Sequence, residues 1–300
     1  MSGGVTVRVP AKVNVQLAVG AARPDGFHDL ANVFLAVSLY DEVTVTPSDR
    51  FYLTCSGPYA DQVPLDTTNL AARAAQALAS RHGIDPAVHI HIAKDIPVAG
   101  GMAGGSADGA AALLACDALW SVGSSRTELL DICAELGSDV PFSLVGGAAL
   151  GLGRGEKLTE LEVGGTGFHW VFATADGGLS TPAVFREFDR LTPEAPTPEA
   201  SPLLLEALRT GDAEALAASL VRSNDLQPAA LSLRPSLTET LEAGVSAGAL
   251  AGLVSGSGPT TAFLVADAGA AEKVAAALVA SGTCRTARVA TGPVVGARVI

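Results

Sequence analysis

The sequence predicts an α+β protein of two domains. Three observations carry that reading. Strand-like and helix-like runs are interleaved through both halves. The pattern restarts after about Glu162. At 300 residues the chain is long for one compact core. We place the border at 160/161, giving domains 1–160 and 161–300.

Residues 5–19 and 31–46 alternate or run apolar, as strands do. Asn69 to His82 has helical spacing and Gly83 ends it. Val88–Ile92 reads as a strand leading into a glycine-rich loop. Gly105–Leu119 and Arg126–Leu136 read as helices, and Gly146–Leu152 as a glycine-rich strand. In the second half, Phe168–Ala173 is a strand and Pro182–Phe188 a short helix. Four prolines make Thr192–Pro202 a stiff exposed loop. Helices follow at Gly211–Val221 and Leu231–Ala247, then strands at Leu250–Val254 and Thr261–Val265. A helix at Ala268–Ala280 and a strand at Arg285–Val289 complete the reading.

With 48% hydrophobic and 17% charged residues, the composition is that of a well-packed globular protein. A formal net charge of −12 argues against sequence-independent nucleic-acid binding, which needs basic surface. It leaves room for a small phosphate ligand, which a few backbone N–H groups and one lysine can hold. Cys55, Cys116, Cys133 and Cys284 are scattered, with no Cys-x-x-Cys pair, and read as reduced thiols. His89 and His91 alternate on one strand face, but no third metal ligand is evident nearby. No apolar run reaches eighteen residues and no basic-then-apolar leader opens the chain, so a cytoplasmic protein without membrane partners is expected.

The densest signal runs Pro97-Val98-Ala99-Gly100-Gly101-Met102-Ala103-Gly104-Gly105-Ser106-Ala107 into an alanine-rich helix. Glycine lets backbone approach a ligand closely, and the helix start offers unpaired N–H groups with partial positive charge. That combination suits a phosphate, although glycine-rich loops also serve as plain turns. The P-loop pattern fails for want of a lysine after Gly105, and the dinucleotide fingerprint lacks its βαβ setting. Two more blocks lie in order with it: Val9–Leu17, where Lys12, Asn14 and Gln16 interrupt an apolar run, and the glycine-rich turn Gly252–Thr260.

This series of blocks resembles the GHMP kinases. Within them, Arg23–Leu30, Leu136–Phe142 and Thr181–Phe185 are similar to the branch acting on 4-diphosphocytidyl-2-C-methyl-D-erythritol, over nearly the whole chain. The resemblance implies a ribosomal-protein-S5-like N-terminal domain and a ferredoxin-like C-terminal domain with the active site between them. It implies ATP and Mg2+, with the loop Pro97–Ala107 around the phosphates and Ser106 near the metal. Asn69 and Lys94 are expected around the adenosine. A common form of the loop has two or three consecutive hydroxyl residues, whereas here Ala107 follows Ser106.

Asp139 sits in a Gly-Ser-Asp-Val-Pro turn, where an aspartate serves equally well as a helix cap. The resemblance implies a catalytic base. Lys12 in its apolar run either snorkels to the surface or pairs with Asp139 and keeps it ionised. The implied acceptor is a small CDP-linked molecule. Phe27 and Phe185 would sandwich its cytosine, His28 would read the base edge, and Asn14 and Thr181 would line the remainder. Phe185 is also placed to pack against Phe188. After the Asp25-Gly26 turn, both Phe27 and His28 are expected to project from a loop. Phe27 stands where the family commonly has tyrosine.

Two other readings stay open. One is a GHMP kinase acting on mevalonate, homoserine or a sugar; the Asp25–His28 block argues against it, since those acceptors carry no base. The other is a nucleotide-binding regulator without catalysis, which Ala107 favours and the presence of both Lys12 and Asp139 opposes.

Overall fold

A computed structural model describes residues 3–98 and 100–300, so Ala99 of the loop lies outside the described residues. The frame of the first half is a long antiparallel hairpin of β1 (Val5–Ala22) and β2 (His28–Pro47). Val7, Val9, Val13 and Val15 are wholly buried, as the two-residue repeat of a strand dictates for one apolar face. The pairing register shifts between Pro10 and Ala11 and again between Asn14 and Gln16. Such irregularities bend a strand and re-aim its side chains. Lys12 and Asn14 lie between these two shifts.

β2 changes partner along its length. Leu30–Leu35 pairs with β5 (Ala148–Gly153), whereas Glu42–Pro47 pairs with β4 (Val88–Ala93). β3 (Tyr52–Ser56) runs parallel beside β4, β6 (Lys157–Leu161) flanks β5, and β11 (Arg298–Val299) returns from the far end of the chain to β1. The helices α1 (Leu70–His82), α2 (Gly104–Trp120) and α3 (Arg126–Leu136) contribute to the same core as the hairpin. α2 is apolar nearly all round, and its alanines let it lie buried between neighbours. α4 (Val140–Val145) follows α3 after a short turn.

The second half carries β7 (Phe168–Thr174), β8 (Ala251–Val254), β9 (Thr261–Val265) and β10 (Thr286–Gly292) in the antiparallel order β10-β7-β9-β8. Counted along the chain that is order 4-1-3-2, the ferredoxin-like arrangement. Trp170 and Phe172 pack in the main core with α6 (Pro202–Thr210) and α7 (Ala213–Leu220). Val171 and Phe263 pack instead with α10 (Ala268–Ser281). α5 (Thr181–Leu191), α8 (Gln227–Leu233) and α9 (Ser236–Ser246) complete the second half. No described helix is long and apolar enough to cross a membrane.

Several elements differ from expectation for identifiable reasons. The helix expected at Leu231–Ala247 is two, because Pro235 lacks a donor and forces Arg234 out of the helical region to φ −141°. α6 begins at Pro202, the residue read as the end of a loop; Ser201 caps it and the proline occupies the first helical position. β3 and β6 are short and half-exposed, so they leave little apolar pattern in the sequence. Expected to leave the strand at the turn, His28 is instead the first residue of β2 and is buried.

Cys116 and Cys133 are buried thiols, and burial pushes each up to about 12, with Asp117 adding to the effect at Cys116. A thiol raised in the folded state contributes stability that is intact below the ordinary thiol value and is lost as pH rises toward the folded one. The free energy of denaturant unfolding should therefore fall between about pH 9 and 11, by up to about 1.4 kcal/mol per pH unit for each thiol. Cys133→Ala should flatten that slope; an unchanged slope would show that these thiols do not govern alkaline stability.

Candidate active site

Two glycine-rich turns meet where the halves join. Gly101 has φ +77°, and a Cβ there would come 2.0 Å from the Ser255 carbonyl oxygen, so only glycine fits. The Ser255 hydroxyl donates to Gly101 O at 3.1 Å, and Thr260 N donates to Gly100 O at 3.3 Å. Asn224 ties the second turn down from below, donating to the carbonyls of Val254 and Gly256 at 2.8 Å each. Between the halves lies a cleft of about 890 Å³ lined by Gly100, Gly101, Ala103, Gly104, Gly105 and Ser106 at one end. Phe27, His28, Thr181 and Phe185 line it too, with Lys12, Asn14 and Asp139.

α2 starts directly on the cleft wall. Its cap residue, Ala103, is left-handed at φ 58° and supplies no side-chain acceptor, leaving the N–H groups of the first turn without a side-chain cap. A Cβ on Gly105 would meet nothing within 4 Å, so the loop presents bare backbone to open space there. Gly104 faces the other way: its Cβ would lie 3.0 Å from Lys94 Nζ and 3.1 Å from an Ile96 methyl. The glycine pair therefore divides its work between supporting packing and open surface.

Lys94 does not reach the cleft. It is buried, and its ammonium donates to Asp41 and Asp108 at 2.6 Å each. The expectation of an adenosine contact for the Lys94 side chain is thereby corrected, because its charge is consumed beneath the loop. Burial works against that charge, but Asp108 and Asp41 outweigh it and keep Lys94 above its ordinary value. Burial pushes the Asp108 carboxyl well above the usual carboxylate range despite the adjacent ammonium. Asn69 is corrected in the same way. Its carbonyl accepts from Ala71 N at 2.8 Å as the cap of α1 and its amide donates to Pro64 O, so Leu70 rather than Asn69 reaches the cleft. Pro97, Val98, Met102 and Ala107 also stay off the cleft wall; Met102 and Ala107 are wholly buried.

Lys12 and Asp139 come together. Lys12 Nζ stands 3.5 Å from Asp139 Oδ2 and donates to Asn14 Oδ1 at 2.5 Å and to Gly101 O at 3.1 Å. Asp139 precedes α4, yet its side chain makes no capping bond. Pro141 removes one donor from that first turn, and the carboxylate turns to the lysine instead. From the second turn, a Cβ on Gly256 would lie 3.0 Å from Asn14 Oδ1, which brings that backbone against the same cluster.

At the far end, the Arg23–Asp25 ion pair and a hydrogen bond that Phe27 N donates to the Asp25 carboxylate shape the turn. Arg23, then the Phe27 N–H, hold the Asp25 carboxyl down at about 2. Phe27 projects half-exposed with the Arg154 guanidinium 5.2 Å above its ring. His28 packs against Phe185 at 4.8 Å and hydrogen-bonds Asp189 through Nε2 at 2.8 Å. Phe185 therefore faces His28 here, and one imidazole nitrogen is already engaged. Thr181 shares a 2.8 Å hydrogen bond with Ser257.

The family model described as GHMP kinases N terminal domain matches residues 69–147, and GHMP kinases C terminal matches 204–283. A 4-diphosphocytidyl-2-C-methyl-D-erythritol kinase of Streptomyces avermitilis is 76% identical over 298 residues, 99% of each chain. The chain belongs to the GHMP kinases. Its branch is the one that relative is named for. The like-named protein of Streptomyces coelicolor is 73% identical over 299 residues, again 99% of each chain. A crystal structure of 4-(cytidine 5'-diphospho)-2C-methyl-D-erythritol kinase matches with a TM-score of 0.77 and 32% identity, covering 96% of this chain and 99% of that one. This GHMP kinase is thus a small-molecule kinase with ATP as co-substrate.

The kinase's cleft also contains Asn32, Ser138, Arg154, Asp189, Gly256 and Ser257, none of which the sequence reading assigned to the site. Gly256 and Ser257 carried a signal, since the block 252–260 stood out. Asn32 sits in β2 and Arg154 in the turn that follows β5, with no motif around either. The bare backbone over Gly105 fits a nucleotide phosphate. No group of three or more His, Cys, Asp or Glu side chains able to hold a metal occurs among the described residues. With Asp108 bound to Lys94 and Ala107 buried, Ser106 is the loop's own hydroxyl on the cleft. That donor set fits a magnesium ion carried by nucleotide phosphates rather than a resident metal.

Two substitutions separate the loop's surface from its foundation. Gly105→Val should leave the melting temperature within about 3 °C while weakening ATP binding at least tenfold by calorimetry, because its side chain enters open space. Lys94→Ala strands two buried carboxyl groups and should destabilise the fold by roughly 3–5 kcal/mol. A Lys94→Ala protein of normal stability with weakened ATP binding would return Lys94 to the nucleotide site.

Proposed function

We propose that the chain transfers the γ-phosphoryl group of ATP to the 2-hydroxyl of 4-diphosphocytidyl-2-C-methyl-D-erythritol, a step of non-mevalonate isoprenoid precursor biosynthesis. The Lys12–Asp139 pair carries this reading, standing 3.5 Å apart in a cleft with bare glycine backbone at one end and Phe27 and Phe185 on its wall. Residues 1–160 form the ATP-binding domain, and 161–300 close the cleft. The phosphates lie along Gly100, Gly101, Ala103, Gly104, Gly105 and Ser106, where first-turn N–H groups meet negative charge. Ser106 is the hydroxyl that would lie beside a magnesium ion carried by ATP, whose chemistry there would be to neutralise phosphate charge.

Phosphoryl transfer leaves the protein little covalent chemistry and much positioning. Asp139 takes the proton of the acceptor hydroxyl. The freed oxygen attacks the γ-phosphorus in line, the bond to the bridging oxygen breaks, and ADP leaves. Lys12 stays beside the carboxylate and the attacking oxygen, offsetting negative charge as the proton departs. Asn14 and Thr181 border the acceptor. Phe27 and Phe185 flank the cytosine, which requires His28 to yield its place against Phe185.

The test is ATP-dependent ADP release with the cytidine-diphosphate acceptor, mevalonate and homoserine side by side. The cytidine compound should be the best acceptor; preference for either of the others would overturn the substrate assignment. Asp139→Asn should lower turnover by at least ~10²-fold with ATP affinity nearly intact. Phe27→Ala should raise the KM for the cytidine substrate by about 5- to 150-fold, since stacking on an aromatic ring contributes roughly 1–3 kcal/mol. Near-normal values in folded variants would remove these residues from the mechanism.

A further inference from the structure

From the amide chain behind Lys12 we infer that Asn32 is a positioning residue for phosphoryl transfer, acting through Asn14 to aim the Lys12 ammonium at Asp139. The inference rests on the kinase reading above. Its starting point is a misfit in β2. Ala31, Val33, Phe34, Leu35, Ala36 and Val37 are all wholly buried apolar residues, and Asn32, 3% exposed, interrupts them. Burying an amide costs free energy that leucine at the same place would not incur. Among the described residues, the only side-chain hydrogen bond of Asn32 is to Asn14, whose Nδ2 donates to Asn32 Oδ1 at 2.7 Å.

The direction of that bond follows from chemistry. A lysine ammonium only donates, so the Asn14 atom 2.5 Å from Lys12 Nζ must be the carbonyl oxygen. The opposite end of Asn14 is then the NH2 group, and an acceptor beside it adds to the hold on the amide in this orientation. Asn32 Oδ1 is that acceptor. Were Asn14 to flip, its NH2 would face the ammonium and repel it. The Lys12 ammonium has three polar neighbours: it donates to Asn14 Oδ1 at 2.5 Å and to Gly101 O at 3.1 Å, and it stands 3.5 Å from Asp139 Oδ2. Losing the first frees the ammonium to swing away from the third.

A double-mutant cycle on turnover tests this, with the wild type first shown to phosphorylate the cytidine-diphosphate acceptor. Absence of that activity would sink the kinase reading itself. Asn32→Leu should lower kcat about tenfold, as loss of orientation does, with the KM for ATP within twofold. In an Asn14→Ala background the same change should alter kcat by less than twofold, because the partner through which it acts is already gone. If Asn32→Leu lowers kcat equally in both backgrounds, Asn32 acts by general packing and the inference fails; an unaffected kcat in the single variant fails it as well. Thermal melts establish that each variant is folded, and Asn32→Ala replaces Asn32→Leu in the cycle should the leucine variant not fold.

Discussion

The ammonium of Lys12 is the point on which the cleft depends. It joins three parts of the chain: its own strand through Asn14, the glycine loop through Gly101 O, and the residue before α4 through Asp139. Gly256 of the second turn lies within a Cβ's reach of the same ammonium, at 3.4 Å. A cation buried without partners would be prohibitively costly. These contacts offset that cost only if both turns and the sheet hold their places. The charge thus ties the position of the phosphate-facing loop to the position of the carboxylate.

Beneath the loop, a second lysine does structural work. Asp41 comes from β2, Lys94 from the end of β4 and Asp108 from the first turns of α2. Asp41 also accepts from the backbone N–H groups of Asp95 and Ile96 at 2.7 and 2.8 Å. Buried ion clusters contribute little net stability, because desolvation consumes most of the attraction. Here the cluster fixes where the chain leaves β4 and where α2 begins, which sets both ends of the glycine loop. Arg288 adds a forked contact to Asp95 at 3.0 and 2.7 Å, extending the anchorage to the second sheet.

The fold was legible wherever period and punctuation agreed. α1 shows an asparagine cap, helical spacing and a terminal Gly83, and its bounds follow from those residues. β3 and β6 were not legible, because half-exposed edge strands need no apolar alternation. In the site, glycine spacing exposed the loop, but one sequence cannot distinguish Gly105, open to the cleft, from Gly104, packed on Lys94. Lys94 illustrates the same limit. Its residue type suits ligand contact, and only its tertiary partners reveal that the side chain is already used, whereas Asn69 is used locally as the cap of α1. Asn32 is the converse, a residue in an unremarkable strand that gains meaning only when β1 lies beside it.

The Lys12 charge serves the chemical step rather than binding. Single-turnover phosphoryl transfer by Lys12→Met, with ATP and the cytidine-diphosphate acceptor both saturating, addresses it directly. The chemical step should slow at least ~10²-fold, with both dissociation constants moving less than about threefold. A Lys12→Met enzyme that transfers phosphoryl at close to the normal rate, or that loses its rate only through weakened binding, would contradict it.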